Sequence, residues 1–595
     1  MTFNMDGKEI NYEEIINDLN KKKIAKYGKL DKILFKKLEK SDSSKVFEIA
    51  IWLEFRGYNW NSLKDYVLKS ENYPDNYQEK VSNLVNEYKK SINTISADFL
   101  SKLEKTYLEH VRIDNIAPII YLKLRKDQIY ELMGKYSQII GIFEYSKDMQ
   151  LDLKDSLAIS KAIFVHTYGY KGRGINVAVW ECGPDDTTNL VIREFYDKNQ
   201  SCKMNHARLT NAIISNRQTI GPWGYAPDCR LYSANSTEIE ALTWAILEKN
   251  CTIISQSFHR STGETSPDLI FDDIYKDYLV LIPPFPFISQ AAGNIGNLIP
   301  PTSEYVNHKG FNSFTVGNHS DDAKNMSGTT TFRNPNSPNG DRELPTICAN
   351  GIGVSAVQLT GSGTSFSAPA VAGIAACLQE RDRVLTVAPE GIRAILLAGA
   401  TINVSDTTWW ESILGGIDAL DGTGAVNAFE SLQIAGNRQS PNNSPSQKGW
   451  YAGQFFNSDF DPNNNAKYVF NIKMDYSDLS PIEQMQFFRI PFIFRIKVAL
   501  TWNSEITWND GPISSELTAD FDLEIYDKNN NFISGSHSLD NNYEIAEFNP
   551  ILGEEYKILI HKSNGNYDGW YGIAWTFRRV PLLFPIKGIL PFIPN

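Results

Sequence analysis

The chain has 595 residues, 42% of them hydrophobic and 22% charged, proportions that exclude both a disordered polymer and a membrane-embedded bundle. Its net charge of −12 disfavours nucleic acid and anionic membranes as partners. The length corresponds to about three or four domains.

Met1 to Asn20 carries Asp6, Glu9, Glu13, Glu14 and Asp18 and no apolar core of signal-peptide length, and no run of about 18 apolar residues occurs anywhere. Cys182, Cys202, Cys229, Cys251, Cys348 and Cys377 show no CxxC pairing, so reduced, buried thiols are expected rather than a disulfide framework or a zinc site. These features predict a cytoplasmic protein, with a non-standard export route as the alternative.

Up to about residue 40 the chain is Lys-rich, with Ile15, Ile16 and Leu19 at helical spacing. The alternation Phe47, Ile49, Ile51, Leu53, Phe55 predicts a half-buried strand. A long amphipathic helix follows, its stripe running Val81, Leu84, Val85, Tyr88, Ile92, Ile95, Phe99, Leu103, Tyr107. A strand through Ile120, Leu122 and Leu124, a helix with Ile129, Leu132, Met133 and Tyr136, and a strand from Ile139 to Phe143 complete a β, α, β, α, β order. Gly172-Arg173-Gly174 then introduces Ile175 to Trp180, a buried parallel strand with Glu181 at its C-terminal end, where open α/β sheets place their sites. Asn205-His206-Ala207-Arg208-Leu209-Thr210-Asn211-Ala212-Ile213-Ile214 follows, and further on Ile288 to Ala292 reads as a strand ending in Gly293-Asn294.

The most informative stretch is Gly361-Ser362-Gly363-Thr364-Ser365-Phe366-Ser367-Ala368-Pro369-Ala370-Val371-Ala372-Gly373. Its glycines and hydroxyl residues allow a sharp turn and close approach of a substrate, and Ala368 to Leu378 can bury as a helix. Ser365 therefore falls near a helix N-terminus, where free N–H groups and the dipole favour developing negative charge. Gly-Thr-Ser alone is an ordinary cap. The full run closely resembles the nucleophile segment of the subtilisin-like serine proteases.

That resemblance implies an α/β fold, a parallel sheet with helices on both faces. Ser365 would be the nucleophile, His206 its base and Asn294 the amide donor to the oxyanion. Glu181 stands where the family has an aspartate, one methylene shorter. Ser257, Phe258, Ala291, Ala292 and Gly293 match the segments that line the substrate cleft. Gly224-Tyr225-Ala226-Pro227, running to Leu231-Tyr232, resembles the family strand that sets the register for His206. The His segment departs from the pattern: Ala207 stands where glycine is usual, and Thr210-Asn211-Ala212 replaces Val-Ala-Gly. The N-terminal β, α, β, α, β order resembles the family propeptide, which implies that this domain inhibits its own enzyme. The junction would lie between Glu144 and Leu151; the insertion from Tyr58 to Tyr77 departs from the compact propeptide. The function implied is a self-processed serine endopeptidase acting on peptide or protein substrates. The alternative is a catalytically impaired scaffold or binding protein on the same fold.

The likeness extends from Leu151 to Gly436, through Gly391 to Leu397 and Gly422 to Ala428, which resemble the closing helices. Beyond the polar linker Ser440 to Ser446, period-two runs (Ile496, Val498, Leu500, Trp502; Phe521, Leu523, Ile525; Tyr556, Ile558, Ile560; Tyr571, Ile573, Trp575, Phe577) predict an antiparallel β-sandwich. It resembles the jelly roll appended to many subtilisin-like proteases. Asp510, Asp520, Asp522, Asp527 and Asp540 offer oxygens to calcium, but their spacing matches no EF-hand loop, and a solvated acidic rim is expected instead. No metal or other cofactor is expected. The expected division is a helical extension (1–45), a propeptide-like domain (46–149), a catalytic domain (150–439), a linker (440–449), a β-sandwich (450–579) and an apolar tail broken by prolines (580–595).

Overall fold

The computed structural model describes residues 25–55, 77–145, 157–197, 202–295, 304–400, 421–474 and 492–581, less 105–106, 109–110, 115, 218–222, 321–325, 328, 509–512 and 566–567, together with residues 2–3, 9–10, 21 and 65. The helix expected around Ile15 to Leu19, nearly all of the insertion from Tyr58, most of the junction between Glu144 and Leu151, Asp510, and the tail beyond Pro581 lie outside them.

After a helix α1 (Lys32–Lys40), the N-terminal domain follows the order β1 (Val46–Leu53), α2 (Tyr77–Lys102), β2 (Arg112–Ile113), β3 (Ile119–Arg125), α3 (Lys126–Lys135), β4 (Ile139–Glu144). Its strands form an antiparallel sheet in the order β2-β3-β1-β4. Phe47, Ile49, Ile51 and Leu53 pack with Leu34, Phe99, Leu122, Ile129 and Leu132 as this domain's own core. The opposite face, predicted to be open, is buried too. Ala50, Trp52, Tyr121, Phe143 and Tyr145 join Phe271 and Tyr275 of the next domain in one cluster. At that seam the buried Asp114 carboxylate accepts from the Tyr275 hydroxyl at 3.0 Å.

The central domain is organised on seven parallel strands, in the order β13-β12-β11-β10-β5-β9-β7. They are β5 (Asn176–Trp180), β7 (Ile192–Phe195), β9 (Arg230–Ser233), β10 (Ile253–Gln256), β11 (Phe287–Ala291), β12 (Phe314–His319) and β13 (Ile347–Asn350). A two-residue strand β6 (Gly183–Pro184) pairs in parallel with β8 (Lys203–Met204) beside the sheet. Helices α4 (Asn205–Ile214), α6 (Thr364–Arg381), α7 (Pro389–Gly399) and α8 (Ala428–Ala435) share one core with Val177, Val179, Leu231, Ile253 and Val316. Helix α5 (Phe271–Val280) covers the other face through Ala178, Trp180, Tyr232, Ile254 and Ile288. Alternation along each strand thus feeds two hydrophobic layers.

Two four-stranded antiparallel sheets follow, ordered β14-β23-β16-β21 and β15-β22-β19-β20. Their strands are β14 (Lys448–Gln454), β15 (Phe470–Lys473), β16 (Phe492–Trp502), β19 (Ala519–Asp527), β20 (Phe532–Ser536), β21 (Tyr543–Phe548), β22 (Glu555–Gly565) and β23 (Trp570–Pro581), with a hairpin of β17 (Glu505–Thr507) and β18 (Ser514–Glu516) between β16 and β19 in the chain. The period-two residues of β16, β19, β22 and β23 meet in one core between the sheets. The outer face of the first sheet is also buried, because Ala499, Tyr543, Ile545 and Ala574 pack into the central domain. Small residues are required there: a Cβ on Gly572 would meet the Glu390 carbonyl oxygen at 2.4 Å. The hairpin reaches further. Ile513 N–H donates to the Ile140 carbonyl of β4 at 3.0 Å, and Ser515 Oγ donates to Asp277 of α5 at 2.6 Å, so the last domain touches both others.

Candidate active site

Strand β5 delivers Glu181 to the C-terminal edge of the sheet, 1% exposed. The parallel pairing of β6 with β8 sets the register between the Glu181 segment and α4, whose second residue is His206. A disulfide between Cys182 and Cys202 staples the same two segments. This corrects the expectation of reduced thiols for that pair. Two cysteines separated by 20 residues with no motif carry no sequence signal of pairing. Cys229, Cys251, Cys348 and Cys377 are buried and in no disulfide, and burial pushes the thiols of Cys251 and Cys377 well up.

His206 Nδ1 lies 3.2 Å from Glu181 Oε1. Thr210 Oγ1 donates to the same oxygen at 2.7 Å. The imidazole also packs against Phe366, ring centroids 4.8 Å apart, which brings it beside the Ser365 segment. Glu181 Oε2 and His206 Nε2 are buried and have no hydrogen-bond partner among the described residues.

Ser365 is the second residue of α6, entered through Gly363 with φ 151°. Pro369 lies within the helix and has no N–H, so the Ser365 carbonyl lacks its intrahelical donor. Ser257 Oγ supplies one at 2.5 Å, and Ser365 Oγ in turn donates to the Ser257 carbonyl at 3.2 Å. The Ser365 hydroxyl therefore rests on Ser257, not on His206. Gly293, at φ 117°, leaves β11 in a conformation that suits glycine, and its N–H donates to Thr364 Oγ1 at 3.0 Å. Asn294 Oδ1 accepts from Thr364 N–H at 2.8 Å and from Thr364 Oγ1 at 3.0 Å. Anchored by its oxygen at the first turn of α6, the Asn294 amide turns its nitrogen, a donor, away from Thr364.

Of the residues expected to line the cleft, Ser257 and Gly293 touch the Thr364–Ser365 segment. Ala291 and Ala292 are buried at the end of β11, and Phe258 is buried edge-on against Trp180, centroids 4.8 Å apart. Beneath them Lys276 Nζ donates to Gln256 and Gln290 at 3.1 and 2.6 Å, tying β10 to β11. Lys276 also donates to His308 Nδ1, leaving His308 Nε2–H to donate to the Phe258 carbonyl at 2.9 Å. Burial and the Lys276 charge hold His308 well below its usual range, which keeps it neutral for that role. In the sequence Thr210 is legible as a departure from the family's Val-Ala-Gly with no role attached; its i, i+4 spacing from His206 places both on one helix face.

Residues 194–437 match the model of the subtilase family of peptidases. This region is a subtilase domain. The match includes His206, Asn294 and Ser365 and begins after Glu181. The matched region carries strands β9 to β13 of the parallel sheet and helices α4 to α8, and the match supports a subtilisin-like serine protease. Among solved structures, MycP1 with its N-terminal propeptide removed is similar at 19% identity, covering 47% of this chain and 96% of that one, with a TM-score of 0.35. A comparison with curated proteins finds no match.

Proposed function

We propose that the protein is a serine endopeptidase that uses Ser365, His206 and Glu181 as a triad and Asn294 as an oxyanion donor. The observation that carries this reading is the buried contact of His206 Nδ1 with Glu181 Oε1 at 3.2 Å, its ring packed on Phe366 next to Ser365. In the reaction, Ser365 Oγ leaves the Ser257 carbonyl, rotates to His206 Nε2 and attacks the scissile carbonyl carbon while Nε2 takes its proton. Negative charge moves to the carbonyl oxygen, where Asn294 Nδ2 and the Ser365 N–H donate to it. The imidazolium, stabilised by Glu181, gives the proton to the leaving amine, and water hydrolyses the acyl-enzyme by the reverse relay.

The N-terminal domain acts in this reading as an inhibitor that the enzyme cuts from itself between Glu144 and Leu151. Tyr145, the first residue of that junction, donates to Glu238 at 3.1 Å, and the Glu238 backbone carbonyl accepts from Trp180 at the end of β5. The disulfide beside the site favours an oxidising compartment over the cytoplasm that the N-terminal sequence suggests. A second reading, an impaired scaffold, is favoured by the Ser365 hydroxyl resting on Ser257.

A fluorophosphonate label separates the two. The wild-type chain should be labelled and show a break between residues 144 and 151 by intact mass, with both absent in Ser365→Ala. An unlabelled wild type supports the scaffold.

A further inference from the structure

We propose that Thr210 is a positioning residue that adapts this site to a glutamate. The inference rests on the triad reading above. Thr210 stands one helical turn after His206 on α4, so both side chains leave the same face. They meet at one atom, Glu181 Oε1, His206 Nδ1 at 3.2 Å and Thr210 Oγ1 at 2.7 Å. Thr210 is fully buried.

A hydroxyl has one proton to give. Thr210 Oγ1 also lies 3.1 Å from the Ala207 carbonyl, within the same turn of α4, the local back-bond that helical threonines make. The shorter distance and the charge of a carboxylate direct the proton to Glu181 instead. A glutamate has one more rotatable bond than an aspartate, so a carboxylate held at one point can swing off the imidazole. Glu181 Oε2 has no partner among the described residues and does not restrain it. Thr210 supplies the second attachment, and unlike His206 its charge does not change during turnover.

The consequence falls on the chemical step. Thr210 does not reach substrate, so losing its hydroxyl should lower kcat and leave KM unchanged. Thr210→Val keeps the volume and removes the hydroxyl, Thr210→Ser keeps the hydroxyl and removes the methyl, and Thr210→Ala removes both.

The test measures fluorophosphonate labelling rates and peptide hydrolysis of the full chain for wild type, these three variants and Ser365→Ala. Thr210→Ser should react at nearly the wild-type rate. Thr210→Val and Thr210→Ala should be slower by about ten- to a hundredfold, the range for a lost hydrogen bond to a charged group. A Thr210 that served only packing would leave the rates of the folded variants alike and change only their melting temperatures. Thr210→Val labelled as fast as wild type overturns the inference. Should Thr210→Val fail to fold, equal rates for Thr210→Ser and Thr210→Ala overturn it. An unlabelled wild type overturns the triad reading and this inference with it.

Discussion

Ser257 and Ser365 hold each other through reciprocal hydrogen bonds, the hydroxyl of each donating to the backbone carbonyl of the other. The pairing follows from Pro369, which leaves the Ser365 carbonyl without a helical donor in a buried place. It couples the end of β10 to the start of α6.

Removing the Ser257 hydroxyl strands that carbonyl. Ser257→Ala should lose about 1 to 3 kcal/mol of stability, the cost of a buried acceptor left unsatisfied. Denaturant unfolding checks this, and a midpoint equal to that of wild type would show that the Ser365 carbonyl has another partner.

The Cys182–Cys202 bond joins the residue after Glu181 to the segment that leads into His206. Breaking it, by reductant or by Cys182→Ala with Cys202→Ala, should cost about 3 kcal/mol for a loop of this size. It should also slow peptide hydrolysis, because the register between the two segments then rests on the short β6–β8 pairing. Hydrolysis and unfolding that are indifferent to reductant would argue against the bond.

Much of the fold is legible as pattern. The period-two runs lie in the strands they predict, and the Phe47 alternation and the Val81 stripe lie in β1 and α2 as far as Leu53 and Phe99, with Phe55, Leu103 and Tyr107 falling beyond the ends of those elements; a buried face imposes its period on the sequence. What the pattern hides is burial of a second face. Ala50 and Trp52 alternate with the core residues of β1 as solvent-facing positions would, yet they meet Phe271 and Tyr275; Ala499 and Ala574 do the same against α7. Domain docking is non-local, so no window of sequence reports it. At the site, Glu181, His206, Asn294 and Ser365 stand out because each occupies a motif. Thr210, Ser257 as the partner of Ser365, and the disulfide do not, because their roles arise only from what the fold brings beside them.

A cluster of carboxyls between the central domain and the sandwich gives the protein a pH dependence. Asp520 is buried beside Asp341, Asp522 and Asp540, and both its oxygens lack a hydrogen-bond partner among the described residues. Burial and these neighbours push its carboxyl well up, and burial with Asp540 pushes Asp341 up to about 7. Carboxyls raised in the folded state bind protons more tightly there, so the stability they lend is full below the ordinary carboxylate range and is lost as pH rises through the folded values. For Asp341 that window runs from ~4 to about 7. The melting temperature should therefore fall across it, and Asp520→Asn should melt higher than wild type at pH 7.5 with a weaker dependence on pH. Parallel melting curves for the two proteins would contradict this.

In the proposed triad Glu181 acts through His206. The most direct measurement is peptide hydrolysis by Glu181→Gln and Glu181→Asp beside wild type, with folding monitored by melting temperature. Glu181→Gln removes the charge that stabilises the imidazolium and should lower kcat by up to about 10⁴-fold. Glu181→Asp should also lose activity, because the shorter arm draws back from the oxygen position where His206 and Thr210 meet. Full activity in a folded Glu181→Gln would contradict the triad.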